Sequence, residues 1–193
     1  MRNTIHLFLI LLLAAACSGK TENQSSAAED HSQHQPAQSE NKPSKSPRTS
    51  AMAMVDGNHI HFDYSSPSVR GRQIFGGLVA FGEVWVTGAH KATSIQFDKG
   101  VKIGDKEIPA GKYGFFTIPG EKEWTVIINQ VWDMHLADDY DASKDLVRFT
   151  VVPEQLQDVV ESLTYTVEET SKGTAAISVA WDKTKIKFDM KNL

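Results

Sequence analysis

Short runs of alternating apolar and polar residues, separated by turn signals, fill the sequence from about residue 51 to its end. Residues 59–64 alternate strictly, and the preceding Asp56-Gly57-Asn58 is typical of a hairpin turn. Such runs recur roughly every 8–12 residues, which is the spacing of strands in an all-β domain. We therefore predict an all-β fold in which residues 50–55 and 59–64 pair as a hairpin.

The later runs predict further strands. The clearest hairpin joins residues 112–118 to residues 124–129 through Pro119-Gly120-Glu121-Lys122, where proline and glycine favour a tight reversal. Residues 154–160 predict a short helical crossover. The other predicted strands are residues 84–87, 93–97, 101–103, 146–152, 163–168, 175–181 and 185–190. Because about ten short antiparallel strands usually form a sandwich or a barrel, we predict a single antiparallel β-sandwich, with a barrel-like closure as the alternative.

Two stretches interrupt this pattern. Residues 65–82 are rich in proline and glycine, so their backbone takes conformations that regular strands do not. Residues 129–144 are rich in aspartate and contain Trp132, His135 and Tyr140. Long loops inside compact domains are more often functional than idle. We therefore expect a functional site to involve these two loops.

The first 16 residues have the pattern of an export signal. Arg2 provides the positive flank, residues 5–13 form an apolar run too short to span a bilayer, and Ala14-Ala15-Ala16 offers a small-residue cleavage site. Cys17, the only cysteine of the chain, follows directly. This arrangement predicts a lipoprotein in which acyl chains on Cys17 anchor the mature protein to a membrane. The alternative is an ordinary secretory signal with a cysteine nearby.

The composition changes again between the signal and the β-rich part. Residues 17–50 comprise the lipidated cysteine and a linker, and residues 51–193 comprise the folded domain. The linker has no aromatic residue, so it buries too little apolar surface to offset the entropy of ordering. We expect a disordered tether that places the domain in the cell envelope, on the periplasmic or cell-surface side of a bacterial membrane. A single cysteine allows no intramolecular disulfide.

Charge and motifs exclude several classes of function. The formal net charge is -4, and the basic residues form no concentrated stripe, which argues against nucleic-acid binding. The sequence has no Gly-x-Ser-x-Gly elbow, Walker loop or dinucleotide fingerprint. No thiol remains free once Cys17 is acylated. These features favour binding over turnover.

Several sequence blocks of the domain together resemble a known family. They are residues 64–72 (YSSPSVRGR), 74–79 (IFGGLV), 84–89 (VWVTGA), 109–113 (PAGKY) and 116–120 (FTIPG). The sequence is similar to the DUF2911 family, and the similarity covers essentially the whole folded part. The resemblance implies an exported protein or lipoprotein of Bacteroidetes-type bacteria, but it implies no mechanism, since the family has no assigned function. His90 and His135 stand where the chain departs from the family pattern.

Strand parity places candidate metal ligands on one face. In the second predicted strand, His59, His61 and Asp63 lie opposite the apolar positions. Two imidazoles at this spacing are about 6–7 Å apart at the backbone, which allows both to reach one metal ion. The alternative is that these histidines are surface residues or are satisfied by hydrogen bonds. The predicted zinc or copper ligands are His61, His90 and His135, with His59 and Asp63 as alternates.

Methionines extend this possibility to copper. Met52 and Met54 share a face, one strand away from the histidine pair, and thioether together with imidazole favours copper. The alternative is that both methionines fill the core. His31 and His34 in the linker have a spacing that suits loose metal binding, although a polar linker also accounts for them.

Arginines in the first loop are candidate ligand-binding residues. Arg70 and Arg72 flank Gly71, and guanidinium groups suit carboxylates and phosphates. Arg70 has an alternative role, which is to pair with Asp138 or Asp139 and so fix the loop.

Aromatic residues of the second loop are further candidates. Trp132 and Tyr140 are predicted to contact a ligand by stacking, for instance on a sugar ring. Trp85 lies in a predicted strand and is expected in the core instead.

Three functions remain open from the sequence. The first is a module that binds a transition metal or small ligand at the two loops through His61, His90 and His135. The second is a metal-dependent hydrolase in which the same histidines leave a coordination position for water and Asp138 or Glu123 acts as the base. The third is a structural lipoprotein that docks to an envelope protein partner, with the histidines incidental.

Overall fold

The computed structural model describes residues 44–193, which form a two-sheet β domain. A single-turn 3-10 helix, Ala142–Lys144, precedes the eighth strand. The strands of this part of the chain are β1 Arg48–Val55, β2 Asn58–Ser65, β3 Thr93–Phe97, β4 Val101–Ile103, β5 Lys106–Ile108, β6 Gly111–Ile118, β7 Trp124–Asn129, β8 Asp145–Val151, β9 Glu154–Ser171 and β10 Thr174–Asn192.

The strands form two antiparallel sheets. One has six strands in the order β1-β2-β3-β6-β7-β8, and the other has four in the order β5-β4-β10-β9. The sheets pack face to face and do not close into a barrel, which confirms the predicted β-sandwich. The two predicted hairpins are also confirmed, since β1 pairs with β2 across Asp56-Gly57 and β6 pairs with β7.

The core lies between the sheets and follows strand parity. Ile60 and Phe62 of β2 are fully buried on the inner face of the six-stranded sheet. Phe62 packs edge-to-face on Phe115 of β6 at 5.3 Å, and Phe115 stacks on Phe188 of β10 at 6.1 Å. These aromatic contacts join the two sheets, and each buried aromatic side chain stabilises the fold by about 1.5–3 kcal/mol.

The outer face of the six-stranded sheet is covered over part of its width. Phe116 and Ile127 point outward from β6 and β7, yet both are fully buried. They form a second apolar cluster with Val86, Ala92 and Met134. We call residues 84–92 and 130–141, which supply those three side chains, the loop cover. The neighbouring part of the outer face, on β1 and β2, carries exposed or half-buried side chains.

Two predicted elements are wrong. Residues 154–160 are not helical but begin β9, where Glu154 and Gln155 pair with Lys185 and Thr184 of β10. Residues 84–87 form no strand; Trp85 makes one isolated bridge to Thr117. For residues 154–160, tertiary pairing with β10 decides the structure against local propensity.

The remaining differences concern where strands begin and end. The two strands predicted at 175–181 and 185–190 are one continuous strand, β10, whose register shifts around Asp182. β5 is an additional strand that pairs with β4. The first strand starts at Arg48, three residues before the predicted domain boundary at residue 51.

The predicted signal sequence, Cys17, His31 and His34 lie outside the described residues, as does most of the predicted linker. Within residues 44–193, no helix is long and apolar enough to cross a membrane.

Candidate ligand cleft between two loops

Both irregular loops contribute to one cavity, to which residues 129–144 supply Leu136. A cleft of about 340 Å³ opens between them, lined by residues from both loops and from residues 84–90. We call it the loop cleft, and the residues that define it here are Arg72, Leu78, Trp85, His90, Leu136 and Trp181. The two loops that the sequence predicts to form a site therefore line the same cavity.

Aromatic side chains form one wall of the loop cleft. The Trp85 and Trp181 rings stack at 5.8 Å with an interplanar angle of 19°. The Trp85 indole N–H donates to the Gly88 carbonyl at 3.0 Å. The indole N–H of Trp181 is buried and has no hydrogen-bond acceptor among residues 44–193. A buried N–H without an acceptor costs about 1–3 kcal/mol, so this indole is an unsatisfied donor in a residue that lines the loop cleft.

The backbone around the loop cleft is strained. Thr87, His90 and Leu136 adopt left-handed φ values of 48°, 64° and 50°. Left-handed φ is unfavourable for a β-branched residue such as threonine, and strain of this kind concentrates at functional sites.

Hydrogen bonds hold the strained Thr87 in place. Its hydroxyl bonds to the Thr117 hydroxyl at 3.0 Å, and its carbonyl accepts from the Tyr165 hydroxyl at 2.6 Å and the Thr93 hydroxyl at 3.1 Å. Burial is the main reason that the pKa of Tyr165 is raised well above its usual range, so this hydroxyl stays protonated and donates. The core thus fixes the position of the cleft wall.

The two arginines of the first loop have different positions. Arg72 lines the loop cleft and uses Nε and one terminal nitrogen to donate to the Val69 and Ser68 carbonyls at 3.1 and 2.6 Å. Because guanidinium has five N–H donors, others remain for a ligand. The Arg70 guanidinium instead donates to the Lys45 carbonyl at 2.9 Å.

The predicted pairing of Arg70 with Asp138 or Asp139 is wrong, because Arg70 has other partners. Its backbone N–H donates to the Glu161 carboxylate at 3.0 Å, so the contacts that hold Arg70 come from β9 and from the residues before β1. Asp138 and Asp139 are exposed in the other loop. The loop is therefore pinned, as expected, but to another element.

The three predicted metal ligands are not brought together. His61 lies on the outer face of β2, whereas His90 and His135 are exposed in loops. These two loops pair through the backbone, since the N–H of Leu136 donates to the His90 carbonyl at 2.7 Å. In the described part of the chain, no group of three or more His, Cys, Asp or Glu side chains is placed to hold a metal ion. The spacing could not reveal this, because residues distant in sequence are positioned by the sheet order.

The alternates stay on β2, as strand parity predicts. His59, His61 and Asp63 all face outward, and the two imidazole rings lie 5.7 Å apart. Asp63 is already paired, since its carboxylate lies 2.7 Å from Nε of Arg48. Asp63 therefore neutralises an arginine beside the histidine pair.

The predicted stacking residues lie outside the loop cleft. Trp132 is 38% exposed and lies beneath the Lys112 ammonium, 4.0 Å from the ring centroid. Tyr140 is not a free platform: its ring packs on Phe116, and its hydroxyl donates to the Asp145 carboxylate at 2.6 Å. Burial, then this bond, raises the pKa of Tyr140. Trp85 packs among aromatic side chains beside the core, as predicted.

Sequence reasoning did not identify Leu78, Leu136 or Trp181 as site residues. Each is an apolar residue that local pattern assigns to a core or a loop. Only the meeting of the loops with β10 gives these three side chains a shared role.

The molecule is thus a β-sandwich with a strained, partly aromatic cleft at the junction of two loops. Arg72, Leu78 and residues 84–89 of this cleft belong to the sequence blocks on which the family resemblance depends. The sequence model of the family described as "Protein of unknown function (DUF2911)" matches residues 46–190, and the chain belongs to this family. No curated protein and no solved structure matches the chain.

Proposed function

We propose that this protein is a cell-envelope lipoprotein whose β-sandwich binds a small organic anion in the loop cleft. The observation that carries the proposal is the buried Trp181 indole N–H, which lacks an acceptor within residues 44–193 and belongs to a residue that lines the cleft. Binding sites of this size usually combine an apolar surface with a few polar groups that orient the ligand.

The chemistry of the cleft selects the class of ligand. Trp85, Leu78 and Leu136 offer apolar contact surface, and the Arg72 guanidinium offers hydrogen-bond donors. The buried Trp181 N–H becomes a further donor when a ligand displaces the side chains that cover it. Donors together with an aromatic wall suit an apolar body that carries a carboxylate or a similar acceptor group. The ligand class that we propose is therefore an aromatic or aliphatic carboxylate.

The location forms the second part of the proposal. An apolar run followed by Ala14-Ala15-Ala16 and Cys17 supports export and acylation, and residues 18–43 then serve as the tether. Two acyl chains hold a protein on a membrane far more firmly than one.

Binding is favoured over hydrolysis by the arrangement of side chains. The hydrolase that the sequence allows needs His61, His90 and His135 at one point, with Asp138 or Glu123 as the base. The three histidines occupy β2 and two loops, and both carboxylates are exposed. The loop cleft, in contrast, already combines apolar contacts with donors.

The test is a titration of the mature chain, residues 17–193 with Cys17→Ser, followed by amide and indole NMR. The chain has four tryptophans, so four indole N–H signals report separately on the molecule. With phenylacetate as the probe, we expect the Trp181 signal to shift and the signal of Trp132, outside the cleft, to stay. An unmoved Trp181 signal at saturating probe would refute the proposal.

A pair of variants locates the binding. Leu136→Asp places a carboxylate at the cleft and its left-handed backbone tolerates aspartate, so we expect phenylacetate affinity to fall at least about 10-fold. Val152→Asp adds the same charge at a 76% exposed site outside the cleft and serves as the matched control. Equal affinities for the two variants would place the probe elsewhere.

A further inference from the structure

The outer face of the β1–β2 hairpin carries two methionines directly opposite two histidines. In the register of the hairpin, Met52 is the partner of His61, and Met54 is the partner of His59. Side chains of opposite residues in an antiparallel pair have Cβ atoms about 4.5–5.5 Å apart. Two sulfur atoms and two imidazoles are therefore gathered on one surface by backbone pairing. We call Met52, Met54, His59 and His61 the methionine–histidine patch.

The methionines of this patch are not core residues. Met52 is 54% exposed and Met54 is 60% exposed, whereas the intervening Ala51 and Ala53 pack against the core. Strand β1 therefore turns its small residues inward and its large apolar residues toward solvent. This is the reverse of the arrangement that apolar burial favours, so packing does not explain the methionines.

The histidines of the patch are held in a matching position. The rings of His59 and His61 are 5.7 Å apart in an edge-to-face arrangement, and both side chains are half-buried. Inward-facing Ile60 and Phe62 are fully buried, which fixes the strand and thereby the side on which both imidazoles lie. A slip of one residue in register would bury the histidines and expose the core.

We propose that the methionine–histidine patch is a copper(I) site. Thioether is a soft ligand that selects copper(I), and imidazole binds copper well, so two of each suit this ion. A zinc site needs harder or anionic donors, and no third His, Cys, Asp or Glu joins the pair within the described chain. This site is separate from the loop cleft and does not depend on the function proposed there.

The charges around the patch are compatible with a monovalent cation. In the next cross-strand row, Ser50 lies opposite Asp63, whose carboxylate is neutralised by Arg48 at 2.7 Å. On the other side of β2, His61 is paired with Gln96 of β3, an uncharged neighbour. The nearest rows thus hold one neutralised ion pair and an uncharged glutamine. Lys112 lines the same cavity as His61, and its ammonium lies over the Trp132 ring.

The experiment measures copper(I) binding to the mature chain, residues 17–193. Cys17→Ser, His31→Asn and His34→Asn are present in every sample so that donors outside the described residues do not bind the metal. Under anaerobic conditions the protein competes with a chromophoric copper(I) chelator. We expect one copper(I) per chain, and a shell of sulfur neighbours by X-ray absorption.

Two double variants test the patch itself. Met52→Leu with Met54→Leu keeps the apolar shape and removes both sulfurs, so we expect the sulfur shell to vanish and affinity to fall by at least about 10-fold. His59→Asn with His61→Asn should weaken binding to a similar extent. Matched controls are His90→Asn with His135→Asn, and the buried Met190→Leu, neither of which should change affinity.

Two results would overturn the proposal. One is unchanged copper(I) affinity in the Met52→Leu, Met54→Leu variant. The other is an equal loss in the His90→Asn, His135→Asn control. Circular dichroism of each variant establishes that the sandwich is intact, and phenylacetate binding at the loop cleft should be the same in the two patch double variants as in the parent.

Discussion

The two parts of the outer face of the six-stranded sheet differ in whether their large apolar side chains are buried. On β6 and β7, Phe116 and Ile127 are completely buried because the loop cover lies over them. On β1, Met52 and Met54 are more than half exposed. Both parts belong to one sheet and share the same inner core, so the difference lies in what covers them.

This difference distinguishes apolar residues whose burial explains their presence from apolar residues that need another explanation. Where the loop cover is present, burial of the side chains accounts for their identity and for much of their stabilising effect. On the β1–β2 hairpin, burial does not account for methionine, and our proposal there depends on the chemistry of sulfur instead. Substitutions that measure stability on each part of the face therefore test the comparison directly.

The largest effect is expected for Phe116→Ala in the covered part. Phe116 is fully buried and packs on Tyr140 at 5.3 Å, so its removal leaves a cavity between the sheet and the loop cover. We expect a loss of about 3–5 kcal/mol in the free energy of unfolding, measured by urea denaturation. A loss below about 1 kcal/mol would mean that the loop cover is not firmly packed.

Gly114→Ala should have a smaller but clear effect on the same part. An added Cβ would meet the Val131 carbonyl of the loop cover and would lie 2.6 Å from Cε2 of Phe116. Because the loop backbone must move, we expect destabilisation of about 1–3 kcal/mol. At Gly71, in contrast, an added Cβ would meet no atom within 4 Å, but the φ of 67° is unfavourable for alanine. The loss of stability in Gly71→Ala therefore measures backbone strain without a steric clash.

Tyr140→Phe should have an effect that depends on pH. At neutral pH it removes the bond to Asp145, with an expected cost of about 1 kcal/mol. Burial raises the pKa of Tyr140 in the folded protein above the unfolded value of about 10. A group with a raised folded pKa stabilises fully below its unfolded pKa and loses this contribution as pH rises toward the folded value.

The measurement for Tyr140 compares two urea titrations. The difference in unfolding free energy between the parent and Tyr140→Phe should be smaller at about pH 11 than at about pH 8, because the unfolded parent ionises first. A difference that stays constant or grows with pH would contradict this account of the loop cover.

The smallest effect is expected on β1, in the part of the outer face that the loop cover does not reach. Met52→Thr and Met54→Thr replace exposed side chains with a good strand former, so each should change stability by no more than about 0.5 kcal/mol. Thermal unfolding of the metal-free protein is the measurement. A loss of about 2 kcal/mol or more would show that these methionines stabilise the fold, and the contrast between the two parts would disappear.

Local pattern predicted the sandwich and the face on which each β2 side chain lies. The alternation of residues 59–64 was sufficient, because parity needs only one strand and its period. Residues 154–160 were assigned wrongly, because Glu, Gln and Leu are helix formers and the pairing with β10 is distant in sequence. Short-range information cannot include such a partner.

The sites show the same limit. The face shared by Met52, Met54, His59 and His61 follows from a hairpin and was within reach of the sequence. The loop cleft needs Leu78, Leu136 and Trp181 to meet across the whole domain, and no spacing rule relates them. Convergence of His61, His90 and His135 was predicted from the number of imidazoles and from strand parity, and the sheet order separates His61 from the two paired loops.

The segment after β2 has a consequence for how copies of this protein behave when they are concentrated. The Leu163 N–H donates to the Pro67 carbonyl at 2.9 Å, and the Val69 N–H donates to the Glu161 carbonyl at 2.7 Å. The middle of the long edge strand β9 is therefore hydrogen-bonded to the molecule's own chain. The backbone groups that form these bonds cannot pair with a strand of a neighbouring molecule, which disfavours fibre-like self-association through this part of β9.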